Sequence, residues 1–221
     1  MAVVSFRGIP ADAFDFFEEL AADNTKAWWT ENKERYERNV RAPVEELLVA
    51  LGGEFGPTHK IFRPYRDVRF SHDKTPYKTN LGASLTDRHG SVWYLALSAT
   101  GMYAGGGGYQ LDTDQLARLR AAVADDVTGG ELVELAAAVE KKGYEIRGEA
   151  LKRVPKPWDA DHPRARFLRH KGLYLGRDLA PASWMGTKKA VDRIAAIWRE
   201  MQPIQAWLRT NVGGSLSSSE S

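Results

Sequence analysis

The chain has 221 residues, 43% hydrophobic and 27% charged, with 31 Lys and Arg against 29 Asp and Glu, a net charge of +2. That size and apolar fraction support one large folded domain or two small ones, and the near-neutral balance argues against a generic basic coat for nucleic acid. There is no cysteine, which excludes disulfides, thiolate metal sites and cysteine nucleophiles and fits a reducing compartment. No apolar run reaches the ~18–20 residues of a membrane span. The opening MAVVSFRGIP lacks the basic and apolar regions of a signal peptide, so a cytoplasmic location is expected.

In chain order, Pro10 opens a predicted helix with Phe14, Phe17 and Leu20–Ala21 on one face. Asn24 is expected to cap a second helix whose apolar stripe runs through Trp28, Tyr36, Val40, Val44, Leu47 and Leu51. Pro43 marks a kink or the first turn of a third helix, and Gly52–Gly53 is expected to end the run. The period then changes to two, predicting strands over Ile61–Phe70 and Tyr77–Leu85, a central strand over Ser91–Ala99 and a glycine-rich strand over Gly101–Tyr109. Asp112 caps a helix over Thr113–Asp125, and another covers Glu131–Lys142. Short strands follow at Tyr144–Arg147 and Leu173–Arg177, separated by a Pro- and charge-rich loop over 152–164. A final helix covers about Thr187–Trp207, with Trp198 and Trp207 in the core. Helices, then a strand meander, then helices give the α+β class: a mainly antiparallel sheet of four or more strands with N- and C-terminal helices packed on it. Residues 1–212 read as a single domain and 213–221 as a disordered tail.

The most informative segment is RPYRDVRFSHDKTPYKTNLG, Arg63–Gly82. It carries five cations (Arg63, Arg66, Arg69, Lys74, Lys78) and two acids (Asp67, Asp73), a local +3 that leaves the rest of the chain at −1. Strand alternation would put Arg63, Asp67 and Arg69 on one face with Val68 and Phe70 turned to the core. Pairing with the next strand would add Lys78 and Asn80 to the same patch. Arginine forks and a lysine suit phosphate or carboxylate, and Asn80 would orient a substrate oxygen. Asp67, between guanidinium groups, is expected to stay ionised, in an orienting role more than as a general base. The competing reading is a solvated sheet face with cross-strand ion pairs of little individual worth.

This segment resembles the signature of a mostly bacterial family, domain of unknown function 2461. Its hallmark is Arg-x-x-Arg-Asp-x-Arg-Phe followed by Lys-x-Pro-Tyr-Lys-x-Asn, matched here by Arg63, Arg66, Asp67, Arg69, Phe70, Lys74, Pro76, Tyr77, Lys78 and Asn80. The similarity extends over nearly the whole chain, through Asn24 and Trp28, Asn32–Lys33 with Tyr36, the glycine-rich strand and the Asp-His-Pro loop. The resemblance implies no particular activity.

Two further constellations bear on function. Gly106 and Gly107 lie in a tract that would cradle a ligand phosphate or admit a packed helix, but without Walker or dinucleotide spacing. His162, in the Asp-rich loop, is the best single acid–base candidate; Lys152, Lys156 and His162 would form a lid. No histidine spacing indicates a metal, and no cofactor is implied. The candidate site is therefore Asp67 and His162 as catalytic groups, with Arg63, Arg66, Arg69, Lys74, Tyr77, Lys78, Asn80, Gly106 and Gly107 binding a small phosphorylated or carboxylated molecule. The alternatives are a nucleic-acid-binding module stacking bases on Tyr65 and Tyr77, and a structural protein docking an acidic partner.

Overall fold

A computed structural model describes residues 6–69 and 71–214; Phe70 and most of the predicted tail lie outside the described residues. The fold is α+β, a six-stranded antiparallel sheet in the order β1-β2-β3-β4-β6-β5 with helices before and after it in the chain. The strands are β1 Thr58–Ile61, β2 Asn80–Thr86, β3 Val92–Ser98, β4 Gly101–Gly108, β5 Glu145–Arg147 and β6 Leu173–Leu179. The helices are α1 Asp12–Ala22, α2 Lys26–Tyr36, α3 Ala42–Phe55, α4 Thr113–Ala124, α5 Asp126–Glu140, the short α6 Ala165–Leu168 and α7 Lys189–Asn211. No described helix is long and apolar enough to cross a membrane. The chain divides into two compact units. One takes the chain up to Thr86, Tyr94–Ala104 and Asp178–Ala196; the other takes Asp87–Trp93, Gly105–Arg177 and the chain from Ile197.

In the first unit, α2 runs through a π-helical turn, Glu37–Arg41, into α3. The turn is closed by the Ala42 N–H donating to the Glu37 carbonyl five residues back. Pro43, next in line, has no N–H to give and would crowd the carbonyl four residues earlier, so the widened turn accommodates it where a regular turn would break. The extra residue also holds Tyr36, Val40 and Val44 on the buried side. Trp29, not Trp28, begins this stripe: Trp29 is buried and Trp28 half-exposed. At 3.6 residues per turn, seven residues back from Tyr36 lands about 20° off its direction and eight about 80° off, so Trp29 faces the core. On α1 the buried face is Ala13, Phe16, Phe17 and Leu20. Helix α3 continues through Gly52–Gly53 and stops at Gly56, whose φ is 128°. It packs on β1 and β2, whose register pairs His59 with Leu85 and Ile61 with Ala83.

In the second unit, Asp112 caps α4 in a reciprocal capping box with Gln115. Asp125 then caps α5, accepting from the Val127 and Thr128 N–H groups, so α5 starts five residues earlier than predicted. Trp198 and Trp207 are buried as expected. The Trp198 ring lies 5.7 Å from that of Trp93, and the Trp207 indole N–H donates to the Thr128 carbonyl at 2.9 Å. Strands β5 and β6 pair antiparallel, with Ile146 opposite Leu175.

Candidate functional site

The strand predicted over Ile61–Phe70 is replaced by an irregular loop, while the one predicted over Tyr77–Leu85 forms from Asn80 onward. Strand β1 ends at Ile61 and β2 begins at Asn80; between them the two arms touch in a single bridge, Tyr65 opposite Tyr77. The Arg66 N–H donates to the Pro76 carbonyl at 2.9 Å and the Lys78 N–H to the Pro64 carbonyl at 2.8 Å. Pro64 and Pro76 flank the bridge, and neither has an N–H to return, so the ladder cannot extend. The expected common sheet face of Arg63, Asp67, Arg69 and Lys78 therefore does not form, and Asn80 alone of that set lies on a strand.

Side chains supply the order that the ladder does not. The Asn24 amide spans the Tyr77 backbone, accepting from its N–H at 3.1 Å and donating to its carbonyl at 3.0 Å. Asn24 is free to do so because Thr25, not Asn24, caps α2, its hydroxyl accepting from the Trp28 N–H at 3.2 Å. The Tyr77 ring stacks on Trp29 at 4.3 Å and 11° between planes, and the half-exposed Tyr65 ring lies 5.4 Å from Tyr77. The loop is thus pinned to α2 by one amide and one aromatic stack.

The charges are arranged within the loop. Arg66 pairs with Asp73 and with the Thr75 hydroxyl, while Asp73 also accepts from the Thr75 N–H at 2.9 Å. The Arg66 contact first, then the Thr75 bonds, hold the Asp73 carboxyl down to about 2. Arg69 pairs with Asp67 through two side-chain contacts, at 2.9 and 2.7 Å. This pair, with the Arg69 N–H and the field of Arg63, lowers Asp67 below the usual carboxylate range. Such a carboxylate stays charged and is a weak proton acceptor at neutral pH. Lys74 donates to the Val68 carbonyl at 3.0 Å and Lys78 to the Arg63 carbonyl at 3.1 Å. Arg63 is exposed and has no ion-pair or hydrogen-bond partner for its guanidinium among the described residues.

The other predicted residues lie elsewhere. Asn80 lines a cleft of about 480 Å³ in the first unit with Ser98, Thr100, Tyr103 and Asp178, and no cation is in its walls. Gly106, Gly107 and His162 belong to the second unit. A side chain at Gly106 would meet the Gln205 amide of α7 at 2.6 Å, and that amide donates to the Val92 carbonyl at 2.7 Å. Gly107, at φ 127°, lies against the Leu173 and Tyr174 backbone of β6. What approaches these two glycines closely is a packed helix and a neighbouring strand. The His162 Nδ1 accepts from the Arg164 N–H at 3.1 Å, at the start of α6. Lys152 and Lys156 are exposed in the preceding loop.

Sequence reasoning started the buried stripe at Trp28 instead of Trp29, and missed Thr75 and the bracing role of Asn24. The signals were present: a second good capping residue directly after Asn24, and the seven-residue step from Trp29 to Tyr36.

No curated protein and no solved structure is detectably similar to the chain. One family profile, that of a conserved hypothetical protein (DUF2461), matches residues 12–207. The profile takes in α1 through most of α7, together with the whole basic loop, and the chain belongs to the DUF2461 family.

Proposed function

We propose that the loop from Arg63 to Lys78 binds a small phosphorylated or carboxylated molecule, with Arg63 as the principal contact. The observation that carries this reading is a charge surplus that the loop does not neutralise itself. Two of its five cations are matched by Asp67 and Asp73, leaving Arg63, Lys74 and Lys78. Each lysine spends one N–H on a backbone carbonyl, and an ammonium has three. Lys78 is bonded to the carbonyl of Arg63 itself, so an ammonium with donors to spare is tied to the residue whose guanidinium is exposed and unmatched. A carboxylate or phosphate accepts a bidentate fork from such an arginine.

The bracing favours binding over catalysis. Asp67 and Asp73 are held ionised by their arginines, and in this reading they fix the loop rather than move protons. A small ligand is favoured over a nucleic-acid strand, which needs open aromatic faces: Tyr77 is 4% exposed and stacked on Trp29. The proposed site uses residues of the first unit alone.

The test is thermal unfolding in inorganic phosphate, pyrophosphate and citrate, each against sodium chloride of equal ionic strength. At a hundredfold excess over its dissociation constant, a ligand of the native state adds about 2.7 kcal/mol of stability. The expected result is a rise in Tm with at least one anion, absent in Arg63→Ala, whose own Tm matches the wild type. No rise with any of the three, or an equal rise in Arg63→Ala, refutes the reading.

A further inference from the structure

The second unit contains a cleft of about 830 Å³, inside the usual size range of small-ligand pockets. Its rim carries Tyr109, which is 70% exposed. The Tyr174 ring, also lining the cleft, lies 5.4 Å from Tyr109 with 55° between planes, a tilted contact that leaves most of Tyr109 exposed. The backbone is cut back to allow this pairing. A side chain at Gly172 would collide with the carbonyls of Gly108 and Tyr109, and one at Gly107 would reach 2.7 Å from the Tyr174 Cα. The glycine tract thus lets the chain around Tyr109 approach β6.

The polar lining is balanced. It holds two cations, Arg147 and Lys171, and two carboxylates, Asp112 and Glu149. Lys171 pairs with Glu149 at 2.6 Å, Arg147 with Glu145 at 2.7 Å, and Asp112 caps α4. A multiply charged anion gains no net attraction from such a wall. A neutral ring with donors and acceptors on its edge finds both partners there and an aromatic face to stack on.

We infer that this cleft binds a neutral planar heterocycle of the nucleoside type, stacked on Tyr109, which Tyr174 backs, with its edge read by the mixed polar wall. The site is independent of the anion-binding loop in the first unit.

The experiment is isothermal titration of the full chain with adenosine, guanosine, cytidine and uridine. At least one should bind saturably at one site per chain. Stacking of a base on an aromatic side chain accounts for about a tenfold or greater loss in Tyr109→Ala. Tyr109→Phe, which keeps the ring, should bind as the wild type does. The matching 5′-monophosphate should bind no more tightly than the nucleoside. Failure of all four nucleosides to bind overturns the inference, as does undiminished binding by Tyr109→Ala. A monophosphate that binds far more tightly, with the gain abolished by Arg63→Ala, places the ligand on the loop and also overturns it. Because Arg63→Ala leaves this cleft untouched, loss of the loop site and loss of the nucleoside site are separable.

Discussion

Replacing Trp29 by alanine tests the link between the helical register and the basic loop. Trp29 is 4% exposed and touches four aromatic rings: Phe16 at 6.0 Å, Tyr36 at 5.0 Å, Tyr77 at 4.3 Å and Tyr65 at 6.4 Å. Removing a buried ring of this size costs about 3–5 kcal/mol in transfer and cavity terms. The stack with Tyr77, nearly parallel at 11°, adds a pairwise part of about 0.5–1.5 kcal/mol. Trp28 is half-exposed, and its one ring contact among the described residues is Phe16 at 5.2 Å, so Trp28→Ala should cost about 1–2 kcal/mol. Urea titrations followed by far-UV circular dichroism avoid the loss of a fluorescent probe in the mutant. A double-mutant cycle with Tyr77→Leu isolates the stacking part. A Trp28→Ala loss equal to or larger than that of Trp29→Ala would refute the register argument. A coupling of zero between Trp29 and Tyr77 would refute the claim that the stack pins the loop.

Asn24→Ala should speed hydrogen exchange of the Tyr77 amide, and of the Arg66 and Lys78 amides beside it, with about 1–3 kcal/mol lost from the unpaired backbone groups; unchanged exchange at all three amides would show that the loop does not depend on the amide bracket. Arg35 donates to both Asp12 and Glu19, and these bonds, ahead of other causes, lower both carboxyls below their ordinary values of 3.8 and 4.5. A lowered folded-state value means that the unfolded chain binds protons first. The pair's contribution is complete above about pH 4.5 and is lost as pH falls through the folded values. Since the Asp12 and Glu19 side chains are 37% and 50% exposed, Arg35→Ala should cost about 0.5–2 kcal/mol at pH 7 and flatten the acid limb below pH 4.5; an acid limb parallel to the wild type would sink this assignment.

Much of the architecture was legible because its signals are local and periodic. The Asp112 cap, the apolar run of the central β3 and the tryptophans of α7 each depend on spacing within one element. The errors share a different cause. Gly52–Gly53 reads as a helix stop, yet α3 is held by Leu47, Leu48, Leu51 and Phe55, all buried. That burial outweighs about 1 kcal/mol per glycine of helix propensity. Gly129 and Gly130 similarly sit inside α5 because Asp125 supplies a cap upstream of them. Trp28 was mistaken for Trp29 by reading a four-residue rhythm through a π turn that no local propensity announces.

The basic segment stood out by its composition and was misread as a sheet face. Its charged and aromatic residues suggested recognition, and alternation suggested strands, but Pro64 and Pro76 come to flank one bridge only in the tertiary pairing. On each side of that bridge the chain lacks one ladder donor, and the ladder stops at Tyr65–Tyr77. An irregular loop of this length pays a large conformational entropy unless side chains fix it. Arg66 with Asp73, Arg69 with Asp67, and Asn24 with Tyr77 do that fixing. Their presence is therefore explained without any ligand. Arg63 is not: it braces nothing among the described residues, its own carbonyl carries the Lys78 ammonium, and its charge reaches Asp67 only through the field. A cation that contributes nothing to holding the loop, held on a loop that so many other groups hold still, is the residue on which the binding proposal stands, and Arg63→Ala is the variant that separates binding from bracing.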